Sequence, residues 1–144
     1  MKIVSPLMKL LASLSVFLLT SPAQAGIPLW AFIPLTKTSI SVKRTETARI
    51  EYLVVNQSDA PHTLLMTPIR GVSQIASPGY CFSPFTLGSQ QSCVLSLLVV
   101  GSALADKVEG GPIVCESGNP LQCYQPKVDD RLDISIKKED RLRN

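Results

Sequence analysis

Cys93-Val94-Leu95-Ser96-Leu97-Leu98-Val99-Val100 is the stretch on which the fold class turns. In an extended chain Cys93, Leu95, Leu97 and Val99 share one side, and Val94, Leu98 and Val100 share the other. A strand that is apolar on both faces needs cover on both, which predicts a central strand of a sheet. Working back along the chain, Ala48 to Asn56 places Ile50, Tyr52 and Val54 on one face and Arg49 and Glu51 on the other, the pattern of a strand with one side buried. Asn56-Gln57-Ser58-Asp59-Ala60-Pro61 follows with turn formers, and His62 to Met66 then returns as the expected hairpin partner. Further strands are expected at Thr38 to Lys43, Ser73 to Ala76, Pro112 to Glu116 and Leu132 to Lys137. In the last of these Leu132, Ile134 and Ile136 alternate with polar residues. No stretch shows amphipathic helical spacing. About seven short strands separated by Gly, Pro, Asn and Ser predict an all-β, immunoglobulin-like antiparallel β-sandwich, with a small closed barrel as the alternative.

The first 25 residues are set aside from this pattern. Lys2 and Lys9 precede an apolar stretch from Leu10 to Leu19, and Ala23-Gln24-Ala25 supplies small residues for cleavage, so residues 1–25 read as a secretory signal peptide. The apolar stretch falls short of the roughly 20 residues that span a bilayer. Residues 26–137 then form one domain, and residues 138–144 a charged tail of mixed sign. Of the 14 Lys and Arg, Lys2 and Lys9 lie in the leader, leaving 12 against 11 acids. That near-neutral balance offers no broad attraction for nucleic acid or an anionic membrane. The expected location is exported, periplasmic or secreted, with no membrane segment after cleavage.

Cys81, Cys93, Cys115 and Cys123 all follow the leader, and an even count in an exported chain implies two disulfides. Of the three connectivities, Cys81–Cys93 and Cys115–Cys123 are favoured because each pair is local and brackets a turn-rich segment. Loops of that size contribute about 2.5 to 3 kcal/mol each on the chain-entropy account. A zinc site is the alternative, but no CxxC pair is present and the sole histidine, His62, is remote in sequence. No cofactor or metal is expected.

Nucleophilic catalysis needs a base beside a Ser or Cys, and His62 is the one imidazole in the chain. A histidine opening a strand after Pro61 reads first as a packing or solvated residue. Asp129, Asp130 and Asp133 precede or begin a strand and face solvent by alternation, which reads as surface rather than as a glycosidase or calcium site. Asn56-Gln57-Ser58 matches a glycosylation sequon and reads more simply as a turn. Two segments offer contacts instead. In Ile27-Pro28-Leu29-Trp30-Ala31-Phe32-Ile33-Pro34-Leu35 the prolines exclude a helix or a central strand. Trp30 and Phe32 there either pack onto the sandwich as an edge segment or form an apolar patch for a partner. The second segment, Cys115 to Cys123 followed by Tyr124, is a disulfide-closed loop suited to recognition or simply a stapled connection.

Three groups of residues stand out together: Trp30-Ala31-Phe32-Ile33-Pro34-Leu35-Thr36; Pro68 to Gln74 with Gly79-Tyr80-Cys81, Pro84 to Gly88 and Gln91-Ser92-Cys93; and Gly110 to Cys115 with Gln122 to Pro126. On these residues the chain resembles small secreted proteins of intracellular gammaproteobacteria that carry a bacterial immunoglobulin-like domain. Leu87 to Val100 is also similar to a strand-and-turn phrase of Hydin-like sandwich domains, without the proline that usually precedes the glycine. The resemblance implies a sandwich and an exported location, and it supplies no catalytic residue. The expected function is therefore a non-enzymatic binding or structural module that presents loops or an edge to a protein partner. The alternatives are a secreted hydrolase using His62 or Asp129, Asp130 and Asp133, and an assembly subunit that donates its apolar N-terminal segment to another sheet.

Overall fold

The computed structural model describes residues 26–138. The expected leader at 1–25 and the tail beyond Lys138 lie outside the described residues. The described chain is all-β: eleven strands in three sheets, two single 3-10 turns at Gly101–Ala103 and Val128–Asp130, and no α-helix among the described residues.

The first sheet holds β1 (Trp30–Pro34), β3 (Thr47–Asn56), β7 (Ser92–Val100) and β5 (Val72–Ile75) in the order β1-β3-β7-β5, all antiparallel. β7 is central as its two apolar faces require. Its register with β3 sets Ile50 opposite Leu97 and Tyr52 opposite Leu95, four side chains removed from solvent. The outer face differs from expectation at Ser96, which is also buried; its hydroxyl donates to Glu51 Oε1 at 3.0 Å, which offsets the loss of water. Arg49, on the same face, lies 5.8 Å from the Tyr80 ring centre and donates to its hydroxyl.

The second sheet runs β10 (Asn119–Tyr124), β9 (Val114–Glu116), β4 (His62–Met66) and β6 (Phe85–Leu87). The expected hairpin between β3 and β4 does not form. β3 already has β1 on one edge and β7 on the other, so the chain after Asn56 crosses over and β4 pairs with β6 and β9. The third sheet places β11 (Asp133–Ile136) between β8 (Lys107–Glu109), antiparallel, and β2 (Ser39–Val42), parallel. Four strands, β1, β6, β8 and β10, are not among those expected from periodicity; β6 and β8 have only three residues each, too short to carry an alternating signal.

The sheets share one core, a sandwich-like packing. Trp30, Phe32, Ile50, Tyr52, Val54, Leu95, Leu97 and Val99 from the first sheet meet Leu64, Met66, Phe85, Leu87 and Val114 from the second, with Val42 and Ile134 from the third. Tyr52 ties the core to the turn before β11: its hydroxyl donates to the Asp130 carbonyl at 2.8 Å, and burial, with the Asp130 charge adding to it, holds the phenol well above its usual range. Gly101, which closes β7, packs against the β2–β3 connection. A Cβ there would lie 2.0 Å from the Lys43 carbonyl oxygen, and the Gly101 N–H donates to Glu46 at 3.0 Å. Gly101→Ala is expected to cost ~2–4 kcal/mol, because backbone rather than a flexible side chain must yield. Urea unfolding measures it, and a loss below half a kcal/mol would show that the connection gives way freely.

Candidate functional site

Asn56 ends β3 with its side chain turned inward and fully buried. Its Nδ2 donates to the carbonyls of Ala60 (2.7 Å), Leu87 (3.0 Å) and Gly88 (3.0 Å), and its Oδ1 accepts from the Ser58 N–H at 2.9 Å. One carboxamide thus shapes the 57–61 turn and joins it to the end of β6. The sequon at this position is a turn whose amide nitrogen is consumed by the fold.

From that turn Ser58 reaches His62, the first residue of β4. His62 Nε2 lies 2.9 Å from Ser58 Oγ, and Nδ1 lies 2.8 Å from Glu116 Oε1 on β9. Carboxylate, imidazole and hydroxyl are therefore connected in the order of a hydrolase relay. The hydroxyl, however, accepts from the Ala60 N–H at 3.4 Å and faces two further acceptors. Ser58 Oγ is also 2.8 Å from Asn56 Oδ1 and 3.0 Å from the Ala60 carbonyl. The Asn56 amide cannot turn over to relieve this, since its nitrogen faces three carbonyls. A single hydroxyl hydrogen cannot serve Asn56, Ala60 and an unprotonated Nε2 together. A Ser58 hydrogen committed to either of those oxygens is not aimed at Nε2, so the contacts do not line the hydroxyl up for proton transfer to the ring. The His62 side chain is 11 % exposed, and neither it nor Ser58 lines the two grooves on the neighbouring surface.

The other face of His62 meets Trp30 of β1, with ring centres 5.6 Å apart. Trp30 stacks edge-on against Tyr124 at 4.7 Å and donates from Nε1 to the Val114 carbonyl at 3.2 Å. Trp30 and Phe32 therefore pack between the sheets; the residues that β1 and its continuation expose are Ile33 and Leu35. Within this segment Trp30 to Pro34 are paired with Asn56 to Tyr52 of β3.

Both expected disulfides are present, Cys81–Cys93 and Cys115–Cys123. They sit in unlike places. Cys81 is buried against the core, whereas Cys115 and Cys123 face outward, half-buried, on the β9–β10 hairpin. The register sets Leu65 of β4, Cys115 and Cys123 in one row across the outer face of the second sheet. Leu65 is 43 % exposed there, Ile113 is exposed just before β9, and Leu121 is 95 % exposed on β10. Leu65, Thr67, Cys115, Gly118 and Pro120 line a shallow groove of about 250 Å³.

The acidic residues do not converge. Asp129 is exposed on its 3-10 turn, Asp130 uses its backbone carbonyl for Tyr52, and Asp133 accepts from Ser39 Oγ at 3.1 Å and pairs with Lys107 at 3.4 Å. Among the described residues no three His, Cys, Asp or Glu side chains are grouped to hold a metal ion, and no helix is long and apolar enough to cross a membrane. Sequence reasoning missed Ser58 and Glu116 as partners of His62. Ser58 lies four residues away across a turn, and Glu116 arrives only through the β4–β9 pairing. The chain matches no protein-family model, and no curated protein shows significant similarity to it.

Proposed function

We propose that the mature chain is an exported, non-enzymatic binding or structural module on an immunoglobulin-like sandwich, and that it engages a protein partner through the outer face of its second sheet. The observation that carries this reading is Leu121, almost fully exposed on a hairpin held closed by a disulfide, beside the exposed Leu65 and Ile113. Apolar side chains held rigidly at a surface lose little freedom on docking, so their burial is available for affinity. The hydrogen-bond inventory points the same way, since among the described residues no buried side-chain nitrogen or oxygen lacks a partner. The groups that could carry chemistry are engaged in holding turns and strands together. Two disulfides and the signal-like leader support export.

The test pairs a surface variant with a chemical probe. Leu65→Lys combined with Leu121→Ser alters exposed positions and is expected to keep the native melting temperature while losing a stoichiometric partner that the wild-type mature protein captures from envelope or medium. Equal capture by both proteins would remove this face as the binding surface. A fluorophosphonate probe is expected to leave Ser58 unlabelled; labelling that vanishes in His62→Ala would replace the binding module with a hydrolase.

A further inference from the structure

Thr67 N–H donates to the Ile113 carbonyl and Ser117 N–H to the Thr63 carbonyl. These bonds aim the backbone of the odd-numbered residues of β9, Cys115 included, toward β4. Cys115 and Cys123 are therefore a pair opposed in register without a ladder hydrogen bond between them, their Cα atoms 4.0 Å apart. β10 has no neighbour in its sheet other than β9, and its register breaks between Asn119 and Cys123. Parting these two strands disturbs an edge and leaves the core alone.

The surroundings of the two sulfurs are unequal. Thr67 Oγ1 lies 3.8 Å from Cys115 Sγ, a hydroxyl able to donate to a thiolate there. Cys123 Sγ lies 3.1 Å from the Pro120 carbonyl oxygen, which would repel negative charge. Cys115 is thus the better leaving sulfur and Cys123 the better point of attack. Cys81–Cys93 is held more closely: Cys93 is half-buried against the core within the central strand β7, and Cys81 is 1 % exposed, its N–H donating to Val94 at 2.8 Å and its carbonyl accepting from Gln74 at 2.9 Å.

We propose that Cys115–Cys123 is a thiol-exchange site, accessible in the folded protein to a thiol of a partner protein or small molecule, while Cys81–Cys93 is a purely structural bond. In the exchange a partner thiolate attacks Cys123 Sγ and forms a mixed disulfide. The Cys115–Cys123 bond breaks, and its electron pair goes to Cys115 Sγ, a thiolate that the Thr67 hydroxyl can hydrogen-bond and that takes its proton from solvent. The partner thiol is oxidised and Cys115 is reduced; a second thiol of a dithiol partner would then release Cys123. This inference does not depend on what the outer face binds.

Folded protein is incubated with reduced glutathione, free thiols are blocked with N-ethylmaleimide, and the peptides are mapped. The expected result is glutathione on Cys123, the maleimide on Cys115 and an intact Cys81–Cys93, with exchange more than about tenfold faster at the hairpin. Resistance of both pairs until the protein unfolds, or earlier exchange at Cys81–Cys93, would overturn the proposal. An adduct found mainly on Cys115 would overturn the assignment of the leaving sulfur.

Discussion

Trp30→Ala is expected to destabilise the protein by about 3–5 kcal/mol, which corresponds to a melting temperature lower by roughly 10–25 °C. Trp30 is fully buried at the seam between the first and second sheets, where it stacks on Tyr124, touches His62 and donates to the Val114 carbonyl. Alanine removes the stacking, leaves a large cavity and takes the donor from Val114. Neither sheet can close the gap without disturbing the β1–β3 register or the β9–β10 hairpin. Against a typical domain stability of about 5–15 kcal/mol, the loss is a major fraction. Trp30 is also the single tryptophan of the chain, so fluorescence reports this site alone. Emission of the native protein should be blue-shifted and should move to the red in one transition with the loss of β-structure. Native emission already at the position of a solvated indole, or a loss below about 1 kcal/mol on truncation, would mean that the ring does not bridge the sheets.

Asn56 is expected to be comparably sensitive, and the order of two variants identifies the cause. Asn56→Ala deprives the carbonyls of Ala60, Leu87 and Gly88 of a shared donor and deprives the Ser58 N–H of its acceptor, at a cost of about 2–4 kcal/mol. Asn56→Asp keeps the shape but turns carboxylate oxygen toward three carbonyl oxygens in a fully buried position. It should therefore be worse than alanine, costing on the order of 4 kcal/mol or preventing folding at neutral pH. Denaturant unfolding of both variants measures the order. Asp tolerated better than Ala would show that shape, rather than the donated hydrogens, is what the site needs.

The fold class was legible because β-structure writes its burial into alternate residues. Ile50, Tyr52 and Val54 in β3, and Leu95, Leu97 and Val99 in β7, declare which face is inside from spacing alone, and the two-faced apolar pattern of β7 declares its central place. Disulfide pairing was legible for a related reason, since turn formers lie between the two cysteines and the Ser117-Gly118 turn returns Cys123 to Cys115. Strand order was not legible. Alternation says that His62 to Met66 is a strand but carries nothing about its neighbour, and the hairpin expected with β3 gave way because both edges of β3 were taken by β1 and β7. The relay of Glu116, His62 and Ser58 depends on that same long-range pairing, because residues 54 positions apart meet only where β4 lies beside β9. By itself the sequence determined an all-β chain with two local disulfides, since periodicity and turn chemistry act over a few residues. Only the tertiary structure decided which strands meet, which cystine faces solvent and that Ser58 stands among acceptors, because those depend on the packing of segments far apart in the chain.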